Sequence, residues 1–204
     1  HITAGKACDP GTSVAPNDYY MITDDDGSGL FVTSQTATVL LIDQARVAPR
    51  YTAHYENYAN ALHSLGLFLG TENGFELTRA PQRQEALILL IRLLGEEKAA
   101  LAHSDNSPFT DLTNWVDGRR YIAYAYDKKY TNGISPTSFS PTTNASWQMF
   151  LTFVLRSLGY SDASGDFIWD QTSGSLAVRL GLLTDAQLND MKETGLMRDH
   201  AVLI

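Results

Sequence analysis

Arg83-Gln-Glu-Ala-Leu-Ile-Leu-Leu-Ile-Arg-Leu-Leu-Gly95 lies over Trp147-Gln-Met-Phe-Leu-Thr-Phe-Val-Leu-Arg-Ser-Leu-Gly159, and this self-similarity decides the fold. The offset is 147 − 83 = 64 throughout, so Arg92 meets Arg156, Gly95 meets Gly159, and Phe75 upstream meets Phe139. The centre of the first stretch, Ala86-Leu-Ile-Leu-Leu-Ile91, is apolar on every side, which predicts a buried helix over about 82–94. Pro81 suits its entry and Gly95 its end.

Working outward, a first helix precedes each copy, over 51–65 and 115–129. In the earlier one Tyr51, Tyr55, Tyr58, Leu62 and Leu65 recur at helical spacing and form one stripe. Glycine-containing loops follow, over 70–75 and 133–139. A third, weaker copy starts near Trp169, passes Leu180-Gly-Leu-Leu183, and reaches Met197-Arg-Asp-His200. Each unit is too small to bury its own apolar faces. The expectation is therefore a mainly α fold: three helix–loop–helix units over 51–95, 109–160 and 161–204, packed as one body, with 96–108 as a linker. Ahead of them, residues 1–50 read as an arm and a β-prone segment. Gly, Pro, Ser, Thr and Asp dominate 1–17, whereas Tyr19–Thr23 and Leu30–Thr33 flank an Asp/Gly cluster as a hairpin would. The run over 38–42 fits a third strand or the start of a helix.

Composition excludes several classes. Of 204 residues, 15 are Lys or Arg and 23 Asp or Glu, a net 15 − 23 = −8. Nucleic-acid binding needs clustered cations that this sequence lacks. No apolar run approaches the length that spans a bilayer. The single cysteine, Cys8, rules out an internal disulfide and a cysteine-based zinc site. A charged fraction of 19% with ten tyrosines argues for folded structure. The chain opens at His1 with no secretory leader, as expected of a processed or partial chain. Its apolar end, Ala201-Val-Leu-Ile204, reads as a helix cut short or a docked tail.

The copies resemble the S-layer homology repeat of bacterial cell-surface proteins. That pattern runs Phe-x-Asp, Trp-Ala, a helix, a glycine turn, Phe-x-Pro, and Thr-Arg-Ala-Glu leading a second helix that ends in Leu-Gly. The second copy matches at its start, with Phe109-Thr-Asp111, Asn114-Trp115, Asn132-Gly133 and Phe139-Ser-Pro141. The first matches at the motif, with Gln82-Arg83-Gln84-Glu85. The second departs there, with Ser146-Trp147-Gln148-Met149, and the third keeps only the arginine of Met197-Arg198-Asp199-His200. The resemblance covers about 51–204 and implies non-covalent binding of pyruvylated secondary cell-wall polysaccharide.

Part of that motif is a helix start, since Thr-x-x-Glu is a capping box. Gln82 is a poor N-cap, yet Glu85 can still reach back; Ser146 caps well without a reciprocal Glu. The arginine is what a helix start does not require. A guanidinium beside a helix N-terminus suits a carboxylate such as a ketal-linked pyruvate. Arg83 and Arg198 are therefore the anion-binding candidates, with Trp115 and the Gly133 turn as neighbours and Glu85, Asp111 and Trp147 completing the candidate set. Competing with these roles are a solvated Arg83, a core Trp115, and a Trp147 that packs between repeats. Arg92 and Arg156 read as charges facing helix C-termini.

Other constellations are weaker. Asp24-x-Asp26-x-Ser28-Gly29 has calcium-loop spacing without the closing Glu, so a hairpin turn is preferred. His54 and His63 fall on different helix faces, and His103-Ser104-Asp105 are too close in sequence for a relay. Glu96 and Glu97 look solvated, and Asn144-Ala-Ser146 is a glycosylation sequon overlapping a helix start. No catalytic motif, metal set or cofactor site emerges. The expectation is a non-catalytic, extracellular module at the bacterial cell wall, whose partner is the acidic polysaccharide. The alternative is a surface assembly protein whose degenerate repeats and residues 1–50 contact other subunits.

Overall fold

Arg83–Leu93 forms a helix whose middle turns are buried on all sides, as an all-round apolar segment requires. The helices Glu97–Leu101, Val116–Asp127 and Trp147–Ser157 of the same unit pack against it. A computed structural model describes residues 51–204 in full and, before them, the backbone of 19–23, 29–33 and 40–42. The arm over 1–17, Cys8, and the Asp24–Ser28 turn with its calcium-like spacing lie outside the described residues. The chain divides into two units, 1–51 and 52–204.

In the first unit, β1 (Tyr19–Thr23) runs antiparallel to β2 (Gly29–Thr33), with Tyr19 opposite Thr33 and Thr23 opposite Gly29. β3 (Leu40–Ile42) pairs antiparallel with β2, giving the order β1-β2-β3, so the undecided run over 38–42 ends as a strand.

The second unit is mainly helical. Its elements are α1 (Glu56–Ser64), α2 (Arg83–Leu93), α3 (Glu97–Leu101), α4 (Val116–Asp127), α5 (Trp147–Ser157), α6 (Ser173–Arg179), α7 (Asp185–Thr194) and α8 (Arg198–Ala201). α2 packs against α4 and α5, α3 against α4, and α5 against α6. Leu87 and Ile91 of α2, Ile122 of α4, Phe150 and Phe153 of α5, and Phe139 from the preceding loop are fully or almost fully buried in one cluster. None of the described helices is long and apolar enough to cross a membrane.

Two helix starts are tied down in the same way. The Arg83 amide donates to the Thr143 carbonyl at 2.8 Å and the Gln84 amide to Pro141 at 3.0 Å. The Arg198 amide donates to Arg79 at 2.9 Å and the Asp199 amide to Leu77 at 3.0 Å. Amides of the first helical turn have no partner within the helix, so the loop of another segment satisfies them. The turn bridges Thr71–Gly74 and Ser135–Ser138 recur as well, again 135 − 71 = 64 apart.

Three expectations are corrected. The first helix begins at Glu56, not Tyr51, and its phase differs from the stripe expected. Ala59 is buried with Tyr55 and Leu62 packed beside it, whereas Tyr58 and Leu65 face solvent. The segment over 96–108 carries α3, whose Ala100 is fully buried, so it is part of the packed unit. Between α6 and α8, where a helix–loop–helix unit is expected over 161–204, the chain forms a further helix, α7.

Candidate functional site

Arg83 is the first residue of α2, with only 4% of its surface exposed. Its guanidinium carbon lies 4.8 Å from the centre of the Phe139 ring and 4.9 Å from that of Phe153. Such aromatic faces attract a cation but supply no hydrogen-bond acceptor. One terminal nitrogen reaches the Thr131 hydroxyl at 3.4 Å, and Nε has no partner. Among the described residues, no carboxylate lies within ion-pairing distance of this side chain. Burial, and next the positive charge of Arg156, push its pKa down to about 10, while Asp111 opposes the shift. The group is still a cation at neutral pH.

Above Arg83 opens a groove of about 560 Å³ whose walls include Asn132, Gly133, Ile134, Met149, Arg156 and Trp169. Gly133 has φ +78°, and a Cβ there would come within 2.4 Å of Phe109 and 2.6 Å of the Ser138 carbonyl. Only glycine makes this turn and keeps the wall thin. The Gly133 amide donates to the Thr131 hydroxyl at 3.2 Å, linking the turn to the group that faces Arg83. Arg156 is committed to Asp162 through two bonds of 2.9 and 2.8 Å. With its amide turned to present the carbonyl, Asn132 also accepts from Arg156 at 3.1 Å. Trp169, 47% exposed, gives the rim a flat apolar face.

Asp111 sits behind this wall and turns into the loop. Its carboxylate accepts from the Phe139 amide at 2.9 Å, the Ser140 amide at 2.8 Å, and the Ser138 hydroxyl. Burial opposes its charge, but those three donors together hold its pKa below the usual carboxylate value. They also hold Ser140 at φ +59°, where a residue with a side chain needs such support.

The remaining candidates lie elsewhere. Arg198, first residue of α8, donates from Nε to the Phe75 carbonyl at 2.9 Å and from a terminal nitrogen to Glu85 at 3.4 Å. Glu85 accepts from the Gln82 amide at 2.6 Å, so it does reach back as a cap, and takes both terminal nitrogens of Arg79 at 2.9 and 2.8 Å. Burial opposes the Glu85 charge, but these donors hold its pKa below the usual value. Trp115 lines the hollow beside Arg198 and Glu85. It is 48% exposed and so not a core residue, because Gly118 lets its ring lie flat on the first turn of α4; a Cβ there would sit 2.3 Å from the ring. Trp147 packs between two apolar clusters, with Gly174 of α6 close against its ring.

The structure thus brings Arg83 and Gly133 together, with Asp111 bracing the loop behind them. It places Trp115, Glu85 and Arg198 around a second hollow and Trp147 in the packing. Sequence reasoning missed Trp169 and Asn132 as groove residues, and it read Arg156 only as a helix-end charge. The offset that matched Arg156 to Arg92 carried no sign that Arg156 borders the Arg83 groove, as Arg92 borders the second hollow. No group of His, Cys, Asp and Glu among the described residues can hold a metal ion.

No known protein family's sequence profile matches the chain. It is similar to a surface layer protein of Brevibacillus choshinensis, 29% identical over 121 residues, which are 58% of this chain and 11% of that protein. It is similar to a middle cell wall protein of Brevibacillus brevis, 28% identical over 138 residues, 66% of this chain and 13% of that one. A cell surface protein of Thermoanaerobacter kivui is 29% identical over 114 residues, 54% of this chain and 15% of that one. The chain therefore spans only 11% to 15% of the length of these relatives.

Proposed function

We propose that this chain is a non-catalytic attachment module that binds an acidic, pyruvylated secondary cell-wall polysaccharide in the Arg83 groove. Its location is the bacterial cell surface or cell wall, as the surface-layer and cell-wall relatives support. The observation that carries the reading is a buried guanidinium at a helix start, with an unpartnered Nε and no carboxylate within ion-pairing distance among the described residues, lining an open groove. Burying an unpaired charge is costly, so the arrangement makes sense when an external anion completes it. A carboxylate there gains forked, charge-assisted hydrogen bonds from Arg83 and the positive end of α2. Trp169 offers its face to the attached sugar ring.

We read residues 52–204 as three S-layer-homology-like units. Supporting this are the loop bonds shared by the starts of α2 and α8, the turn bridges 64 residues apart, and left-handed backbone at both Glu76 and Ser140, again 140 − 76 = 64. The test is co-sedimentation of the purified chain with cell-wall sacculi, before and after acid removes the secondary polymer. Sedimentation should be lost on stripping and weakened about tenfold or more in Arg83→Ala, with the helical circular dichroism unchanged. Unchanged sedimentation of Arg83→Ala would overturn the site. No sedimentation with either wall preparation moves the reading to surface assembly.

A further inference from the structure

The starts of α2 and α8 are held by the same backbone bonds, yet their arginines differ in what they face. Thr143 and Pro141 receive the amides of Arg83 and Gln84, just as Arg79 and Leu77 receive those of Arg198 and Asp199. The acceptors correspond one to one, since 143 − 79 = 64 and 141 − 77 = 64. Under that correspondence Glu85, which faces Arg198 at 3.4 Å, becomes residue 85 + 64 = 149, a methionine. Met149 lines the Arg83 groove. The Phe75 carbonyl takes Nε of Arg198 at 2.9 Å, whereas Nε of Arg83 has no partner.

We infer that the chain is a one-site receptor for carboxylates: Glu85 pairs with Arg198 from within, and Met149, in place of that glutamate, leaves the Arg83 groove open to an external acid group. The inference rests on reading the groove as an acid-binding site. Glu85 shows that one side chain can serve both purposes. One oxygen takes the Gln82 amide at 2.6 Å and the other faces Arg198. Met149 is likewise the third residue of its helix, and its amide already donates to the Ser146 hydroxyl at 3.2 Å. A glutamate at 149 completes a Ser-x-x-Glu capping box, so the closing substitution favours the helix.

The experiment compares the whole chain with Met149→Glu, Met149→Gln and Arg83→Gln. The probe is a methyl hexoside bearing a 4,6-linked pyruvate ketal, titrated by calorimetry. Arginine Nε–H resonances of the ligand-free proteins are recorded alongside. The wild type should bind one equivalent. Met149→Glu and Arg83→Gln should weaken binding about tenfold or more, while Met149→Gln, equally able to cap but uncharged, should weaken it by about threefold at most. Undiminished binding by Met149→Glu, or a second equivalent that survives Arg83→Gln, overturns the inference and leaves the polysaccharide reading standing. A wild type that does not bind the probe overturns the polysaccharide reading instead. The inference is then decided by the Arg83 Nε–H resonance: displaced by Met149→Glu but not by Met149→Gln if the new carboxylate closes the groove, unmoved if it does not.

Discussion

At the scale of single residues, the groove depends on what is missing as much as on what is present. Gly133 has no side chain where one would strike Phe109 and two carbonyls, and its φ of +78° is strained for any other residue. Gly133→Ala combines left-handed strain with overpacking and should cost about 2–4 kcal/mol. Thermal unfolding should then shift down by roughly 5–15 °C for a chain of this size. An unchanged midpoint would mean the turn relaxes without cost. Gly133 was legible in the sequence because a glycine turn before Phe-x-Pro belongs to the pattern the chain resembles. Trp115 was not. Its neighbours suggested an aromatic core stripe, and only the small Gly118 one turn on lets the indole lie on the surface. Arg83 was legible as a candidate, but its missing carboxylate depends on which segment closes over the helix start.

At the scale of elements, the segment over 96–108 shows where pattern reading ran out. Glu96 and Glu97 look like solvated charges, yet each accepts a tyrosine phenol: Glu96 from Tyr130 at 3.0 and 3.2 Å, Glu97 from Tyr121 of α4. Arg92 at the end of α2 adds a 2.7 Å bond to Glu97, fastening α3 into the unit. Burial first, and then the bonded carboxylate, pushes both phenols up to about 12. A phenol whose folded pKa is raised contributes stability below its ordinary value near 10, and loses it as pH rises through the folded value. Tyrosinate absorbance should show these two titrating about two units above an ordinary phenol, with stability falling between about pH 10 and 12. In Tyr121→Phe one late-titrating phenol should disappear and the alkaline loss should shrink; an identical titration would break the assignment. Hydrophobic spacing alone cannot register a charged residue held by a partner 24 or 34 positions away. α7 did carry a readable signal, the Thr184-x-x-Gln187 capping box, whose two reciprocal bonds are 2.7 and 3.3 Å long. Comparison with the glycine loops of the other copies hid it.

At the scale of the 52–204 unit, the chain closes on itself. Asp199 of α8 is completely buried, and its carboxylate accepts the His54 amide at 2.7 Å and the Tyr55 amide at 3.0 Å. These two amides stand at the entrance of α1, whose N-cap, Tyr55, makes no capping bond with its own side chain. A residue 144 positions away therefore holds the chain at the helix entrance, joining the first helix of the unit to the last. Nothing in the sequence around Tyr55 could announce this, which is why the first helix was expected to start four residues before its actual N-cap. Asp199→Ala leaves two amides without this acceptor. His54 is exposed and its amide can turn to water, so the loss should be about 1–3 kcal/mol, that of one unsatisfied group. It should also be uneven. α2, α4 and α5 keep their mutual packing, so their amides should still exchange only through global unfolding. The amides of α1 should instead exchange through local opening at its released end. Native-state hydrogen exchange on wild type and Asp199→Ala checks this. If α1 and α2 slow and quicken together, Asp199 is an ordinary core contact; if α1 alone is released, closure of the unit is held by this carboxylate.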